Sequence, residues 1–169
     1  NLGKVRTYEN VFWSLAPHDI AIFQYLTESY PKFIQSNGST FLQKGVLDST
    51  ITQIEYKNAV KAHIFVSWLH PFKEHRLVVI GSEAMISFED SIEGKPLKLY
   101  SKKFDLATGF PEKIDGPVQL IPYSKKMPLN CEIEYFIKHL DGKKLTFSDV
   151  KNGLEVVEIL VESSRQLLK

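Results

Sequence analysis

The chain has 169 residues, 43% of them apolar, and a net charge of +1, and this length suits one domain with a sizeable core rather than two full domains. Positive and negative charges are mixed along the chain, which excludes the large charged surface of a protein that binds nucleic acid or an anionic membrane. The sequence has neither an 18-residue apolar run nor a signal-peptide pattern, so we expect neither a membrane span nor secretion. Cys131 is the only cysteine, which excludes an internal disulfide and favours a reducing, cytoplasmic location.

The first predicted elements are a strand over residues 5–12 and a helix over residues 17–30. Pro17 suits the first turn of that helix, and Ser14 is a suitable N-cap. Apolar residues follow His18 at helical spacing, so we expect His18 on the buried face of the helix. The residues that define this face are Ile22, Tyr25 and Leu26. An inward-facing imidazole at a helix start suits proton transfer, whereas a hydrogen-bonded core histidine is the alternative interpretation.

Strand patterns dominate the middle of the chain. The expected strands are residues 33–42, interrupted by a turn signal at Asn37-Gly38, and residues 50–56, 59–69, 75–80, 84–89, 97–102 and 118–121. Residues 105–116 are expected to form a loop, because glycine and proline recur there. Short turns join most neighbouring strands, which predicts a largely antiparallel sheet.

Two further helices are predicted near the end of the chain. The first begins at Pro128 and ends at Gly142, which suits a left-handed C-cap. Its apolar stripe is Leu129, Ile133, Phe136, Ile137 and Leu140. Ser148 or Asp149 caps the second helix, whose expected stripe is Val150, Leu154, Val157, Val161, Ser164 and Leu168. The predicted fold class is therefore α+β, a two-layer arrangement with an open, mostly antiparallel (mixed) sheet of about seven to eight strands and helices on one face.

The strand predicted over residues 59–69 presents two different faces. One face is apolar and consists of Val60, Ala62, Ile64, Val66 and Trp68. The other face is mixed and consists of Lys61, His63, Phe65, Ser67 and Leu69. Because three helices can cover only one face of such a sheet, we expect the mixed face to be a subunit or domain interface.

The sequence lacks the motifs of nucleotide, metal and nucleophile sites. Neither G-x-G-x-x-G after a strand nor G-x-x-x-x-G-K-[ST] occurs, so we expect no cofactor-binding residues in this chain. The five histidines lack the paired spacing typical of zinc ligands, so no metal site is expected, and Ser14 lacks the G-x-S-x-G surroundings of a nucleophile. Lys73 and Arg76 suit an anionic substrate group such as a carboxylate or diphosphate, or else a solvated rim. Asp19 suits a substrate contact or an interaction with the helix dipole.

Several stretches, in their order along the chain, resemble one known domain. They are residues 9–20 (ENVFWSLAPHDI), 66–73 (VSWLHPFK) with Arg76 and 79–85 (VIGSEAM), and 147–157 (FSDVKNGLEVV), preceded by residues 2–5 (LGKV) as a first strand. Together they resemble the C-terminal, substrate domain of the glucose–fructose oxidoreductase / inositol dehydrogenase (Gfo/Idh/MocA) family of NAD(P)-dependent oxidoreductases. The resemblance extends over essentially the whole chain.

The resemblance implies that residues 1–169 are a single C-terminal substrate-binding and oligomerisation domain, and that the N-terminal Rossmann domain lies outside this chain. That domain would bind NAD or NADP and supply a catalytic lysine. The implied reaction oxidises a ring hydroxyl of a sugar, nucleotide sugar or cyclitol by hydride transfer from the carbon that bears it. His18 would be the catalytic acid/base, and the implied substrate contacts are Ser14, Asp19, Lys73 and Arg76. A homo-oligomer through the open sheet face is expected. The alternative is a non-catalytic ligand-binding or assembly module of the same fold.

The sequence departs from the family pattern at Ser14. The family usually carries an aspartate four residues before the histidine that matches His18, and residues four apart on a helix are neighbours. A serine offers only a neutral hydrogen bond there. Either Ser14 merely caps the helix, or the difference alters substrate choice, slows the reaction or abolishes it.

Overall fold

The computed structural model describes residues 5–167 of the chain. Within them the chain forms three helices and seven strands in the order α1 (Val11–Thr27), β1 (Pro31–Ser39), β2 (Ser49–Tyr56), β3 (Lys61–Ser67), β4 (Arg76–Ile80), β5 (Met85–Glu89), β6 (Leu97–Asp105), β7 (Glu112–Leu120), α2 (Pro128–Lys138) and α3 (Val150–Leu167). The strands form two open antiparallel sheets with the orders β1-β2-β3 and β4-β5-β6-β7. The predicted α+β class and the strand number are confirmed.

The chain divides into two compact units. In the first unit, residues 5–71 and 137–167, helices α1 and α3 pack on one face of the β1-β2-β3 sheet. The apolar core between these layers consists of Val11, Phe12, Ala16 and Ile20 from α1, Ile34, Ile54, Tyr56, Ile64, Val66 and Trp68 from the sheet and the turn that follows β3, and Ile159 and Leu160 from α3. The second unit, residues 72–136, contains the β4–β7 sheet.

Polar contacts between side chains also join α1 to α3. The Trp13 indole Nε1–H donates to Ser164 Oγ at 2.8 Å, and the Gln24 amide donates to Glu155 at 3.2 Å. Both pairs connect residues more than 130 positions apart in sequence. The two ends of α1 are therefore fixed by the last helix of the chain.

The two faces predicted for the strand over residues 59–69 are confirmed along β3. Ile64, Val66 and Trp68 are buried, whereas Phe65 and His63 point to the open side. Successive side chains of a strand alternate between its faces, so the short turn after β2 fixes which residues reach the core. Val60 differs from the prediction and is exposed, because it precedes β3.

Helix α1 begins six residues earlier than predicted, and the strand expected over residues 5–12 is wrong. Residues 5–10 are irregular, and Asn10 is the N-cap, since its side-chain oxygen accepts the Trp13 N–H at 3.1 Å. Ser14 is therefore not the N-cap, and its own N–H donates to Asn10 O at 3.2 Å. Pro17 lies inside the helix, and His18 lies two turns from its start rather than in the first turn.

This assignment of the cap predicts different effects for two alanine substitutions. Asn10→Ala is expected to lower the free energy of unfolding by about 1 kcal/mol, because the first turn loses its capping acceptor. Ser14→Ala is expected to change it by no more than roughly 0.5 kcal/mol, since alanine is a better helix former than serine. Urea unfolding followed by tryptophan fluorescence measures both. A larger loss for Ser14→Ala than for Asn10→Ala would contradict the assignment.

Two glycine signals were misread as turns. β1 is continuous through Asn37-Gly38, where a Cβ on Gly38 would lie 3.0 Å from the Leu47 side chain. β7 begins at Glu112, so half of the loop expected over residues 105–116 is strand. Gly116 lies in a bulge of β7, where residues 116 and 117 face Ser101 of β6, and a Cβ on Gly116 would lie 2.1 Å from the Ser101 carbonyl oxygen. Both glycines serve close packing, which the sequence alone does not distinguish from a turn.

Both C-terminal helices are present, but α2 ends at Lys138 rather than at Gly142, and the expected stripe of α3 is wrong. Asp149 caps α3 by accepting the Asn152 N–H at 2.8 Å. The buried residues of α3 are Ile159, Leu160 and Ser163, whereas the apolar members of the expected stripe within α3 are exposed. Leu168 lies outside the described residues. In α2 the apolar stripe is present as far as Ile137, and Leu140 lies beyond the end of the helix; each of these residues is exposed.

Candidate functional site

Helix α1 carries the predicted catalytic residue on the face opposite the core. The residues that contact the sheet recur as Phe12, Ala16 and Ile20, whereas His18 is exposed. The expectation that His18 lies on the buried face is therefore wrong. The stripe predicted with His18 does exist on the outer side and is exposed, and it consists of Ile22, Tyr25 and Leu26. Leu15, which was not predicted, extends this stripe by one turn and is also exposed.

The outer face of α1, which we define as Leu15, His18, Ile22, Tyr25 and Leu26, makes the helix apolar on both sides. A surface helix normally has one apolar stripe and one polar face, and a helix that is apolar all round is normally buried on both sides. In the described residues only the inner side is covered by the sheet and α3. The outer face thus has the composition of a surface that another part of a protein covers.

Two of the other predicted site residues lie beside His18 on the same helix. Ser14 is one turn before His18 and is half-buried, so the two side chains are neighbours on the helix surface. Asp19 is the next residue, is also half-buried and already interacts with other groups. The structure therefore brings together Ser14, His18 and Asp19 within two turns.

Lys73 and Arg76 belong to the second unit, where acidic groups surround them. Arg76, the first residue of β4, forms an ion pair with Glu74 at 2.8 Å. Lys73 is exposed and contributes to the electrostatic field at Asp90. The hydrogen bond from Lys95 to Asp90, with the nearby charges, holds the pKa of Asp90 below its usual value. These contacts make the region a network of ion pairs, and the roles of Lys73 and Arg76 as a substrate anion contact or a solvated rim stay predictions.

A buried carboxylate that the sequence analysis missed lies at the start of β2. Asp48 is fully buried, and its Oδ2 accepts the backbone N–H groups of Phe41 and Leu42 at 2.5 and 2.8 Å. Its Oδ1 has no hydrogen-bond partner among the described residues. Asp48 thus holds the loop of residues 40–45, which lines a groove of about 420 Å³. No side-chain pattern in the sequence indicated this role, because the partners of Asp48 are backbone N–H groups six and seven residues earlier.

Other chemical features of the described residues are few. Burial raises the pKa of Tyr56 to about 12, and its hydroxyl has no hydrogen-bond partner within residues 5–167. Over the same range, no group of three or more His, Cys, Asp or Glu side chains is placed to hold a metal ion. No helix in this part of the chain is both long and apolar enough to cross a membrane.

Comparison with protein families confirms the resemblance found in the sequence. Residues 4–87 match the model of the GFO/IDH/MocA C-terminal domain. This range contains α1, the whole β1-β2-β3 sheet and the β4–β5 hairpin. No curated protein sequence matches the chain.

Solved structures with the same fold are about twice as long as this chain. UDP-N-acetylglucosamine 3-dehydrogenase GnnA from Acidithiobacillus ferrooxidans matches with a TM-score of 0.80 and 16% identity, over 98% of this chain and 50% of that one. Aldose-aldose oxidoreductase from Caulobacter crescentus, complexed with glycerol, gives 0.69 and 13%, over 94% and 46%. The WlbA dehydrogenase from Bordetella pertussis, in complex with NADH and UDP-GlcNAcA, gives 0.64 and 13%, over 93% and 44%. The chain therefore spans about half the length of each.

Proposed function

Since this chain carries a GFO/IDH/MocA C-terminal domain, we propose that it is the substrate-binding domain of an NAD(P)-dependent oxidoreductase acting on a ring hydroxyl. The substrate class is a sugar, nucleotide sugar or cyclitol. Two solved relatives in fold favour the nucleotide-linked sugars, since one is a UDP-N-acetylglucosamine dehydrogenase and another holds UDP-GlcNAcA. We place the protein in the cytoplasm, where the exposed Cys131 stays a thiol.

The observation that carries the proposal is the outer face of α1. It exposes apolar side chains around His18, and the fold relatives contain about as many residues again as this chain. A nucleotide-binding domain that covers this face would enclose His18 and exclude water from it. His18 would then lie between substrate and cofactor, although it is exposed in this chain alone.

In the proposed reaction the ring carbon that bears the hydroxyl loses a hydride, and the hydroxyl oxygen loses a proton. The nicotinamide cofactor, held mainly by the other domain, accepts the hydride when bound. The neutral imidazole of His18 takes the hydroxyl proton, so the alcohol becomes a ketone and the histidine an imidazolium. A lysine of the other domain is proposed to assist this proton transfer.

Ser14 and Asp19 are proposed to contact the substrate from the same helix. Because Asn10 caps α1, the Ser14 hydroxyl is left to orient His18 or a sugar hydroxyl. It does so as a neutral group, where the family usually has a carboxylate. Lys73 and Arg76 are proposed to meet an anionic group of the substrate, such as a diphosphate. Arg76 would have to exchange its ion pair with Glu74 for that contact.

The second candidate function is a non-catalytic binding or assembly module. It is favoured by the serine at position 14 and by the open face of the first sheet, where Phe33, Ile51 and Phe65 are all about half exposed. Ile51 and Phe65 lie directly opposite each other on β2 and β3, so they form one apolar patch. We propose that this patch joins two copies of the chain in a homo-oligomer, a role compatible with either function.

The test is an assay of the intact protein that contains this chain, with NAD⁺ or NADP⁺ and a panel of UDP-sugars, free aldoses and inositol. We expect an increase in absorbance at 340 nm with at least one UDP-sugar, because hydride transfer reduces the nicotinamide. Sugar binding in a calorimeter without cofactor reduction would contradict the oxidoreductase and support the binding module. Heat-denatured protein is the control for background reduction.

A further inference from the structure

The first sheet has a free edge at β1. Its strand order is β1-β2-β3, so within the described residues only one side of β1 is paired with a strand. In an antiparallel ladder the N–H and C=O of one residue point to the same side, and alternate residues point outward at an edge. Such an edge can take a strand from another molecule, and natural proteins usually cover it.

The Gln166 side chain occupies this edge. Its Oε1 accepts the Ser36 N–H at 2.9 Å, and its Nε2 donates to the Ile34 carbonyl oxygen at 2.8 Å. One side-chain amide thus makes the two hydrogen bonds that the backbone of a neighbouring strand would make through two different peptide groups. These bonds also show that the backbone N–H of Ser36 and the backbone carbonyl of Ile34 point away from β2.

The two groups that Gln166 satisfies are those that two copies of β1 would use to pair. In an antiparallel, two-fold symmetric pair centred on Gln35, residue 34 of one copy lies opposite residue 36 of the other. The Ser36 N–H of each copy then donates to the Ile34 carbonyl of the other. The edge is therefore self-complementary, and a second copy of this chain is the strand that fits it.

The surroundings of the edge leave room for a strand. A groove of about 690 Å³ runs along it, lined by residues 33–37 of β1 and by Glu162, Arg165 and Gln166 of α3. Phe33 is 56% exposed beside the groove. From this geometry we propose that Gln166 closes the β1 edge against strand addition by a second copy of the chain. Phe33 borders both this edge and the open face of the sheet that carries Ile51 and Phe65.

The proposal is tested by replacing Gln166 in the intact protein. Gln166→Ala and Gln166→Met both remove the amide, and methionine keeps most of the side-chain volume in case alanine destabilises α3. At low concentration, amide hydrogen exchange at Ser36 is expected to become roughly 2- to 10-fold faster in both variants, since one neutral hydrogen bond is lost. With rising concentration, sedimentation velocity is expected to reveal species larger than the wild-type assembly, with protection at Ser36 restored.

Arg165→Ala is the matched control, because Arg165 lines the same groove but pairs with Glu162 rather than with β1. It is expected to match the wild type in mass and in Ser36 exchange. Unchanged Ser36 exchange in both Gln166 variants would overturn the proposal. So would faster exchange without additional association, or additional association that leaves Ser36 unprotected, because the new contact would then lie elsewhere.

Discussion

Replacing His18 with asparagine in the intact protein is expected to lower kcat for sugar oxidation by about 10²- to 10⁴-fold, the usual contribution of a general base. Asparagine is similar in size and can still hydrogen-bond a sugar hydroxyl, but it cannot accept the proton. The value of KM is expected to change much less than kcat, because ground-state contacts are largely kept. Steady-state kinetics at 340 nm with the preferred sugar and cofactor measure both constants.

Two measurements separate this effect from a loss of structure. His18 is exposed, so the free energy of unfolding of the chain is expected to stay within roughly 0.5 kcal/mol of the wild type. His139→Asn is the matched control, because His139 lies outside α1. This substitution is expected to leave kcat unchanged. Undiminished turnover in His18→Asn would exclude His18 as the base and favour the binding module.

Replacing Asp48 with alanine is expected to lower the free energy of unfolding by roughly 2–4 kcal/mol, because two hydrogen bonds to a charged acceptor are lost. The carboxylate is fully buried and holds the N–H groups of Phe41 and Leu42. Residues 40–45 are expected to lose their fixed conformation at the same time. Urea unfolding gives the energy, and hydrogen exchange of this segment shows where the change occurs.

Asp105→Ala is the matched control for Asp48→Ala. Asp105 also accepts a backbone N–H, that of Ala107 at 2.9 Å, but it is exposed. Water can replace its hydrogen bond, so we expect a loss below about 1 kcal/mol. Equal losses in the two variants would mean that burial of the Asp48 carboxylate contributes nothing to its effect.

The antiparallel hairpins could be predicted from sequence because a period of two and a short turn are local signals. β2 and β3 follow this rule, and the alternation of Ile64 and Phe65 gave the correct buried face. The start of α1 could not be fixed in the same way. Asn10 and Ser14 are both good caps, and Pro17 favours the later one. The choice between them depends on tertiary packing of Val11 and Phe12 into the core.

Only part of the candidate site could be predicted from the sequence, and the reason is similar. Helical periodicity correctly grouped His18 with Ile22 and Leu26, but it could not indicate which of the two apolar stripes of α1 contacts the sheet. Stripes of similar character occur on both sides of this helix, and only the contact with β2, β3 and α3 distinguishes them. Asp48 was missed because its role depends on two backbone amides in a loop, which leave no mark on side-chain patterning.

The contacts from α1 to α3 have a consequence for synthesis of the protein. Trp13 and Gln24 bond to Ser164 and Glu155, and the core that holds α1 includes Ile159 and Leu160. A ribosome completes α3 long after α1, and at about 5–20 residues per second the interval between the two helices is on the order of 10 s. Throughout that time α1 lacks its contacts with α3, and part of its inner, apolar side stays uncovered. We therefore expect chaperone contacts of the nascent chain to concentrate on residues 11–27 and to end when α3 emerges.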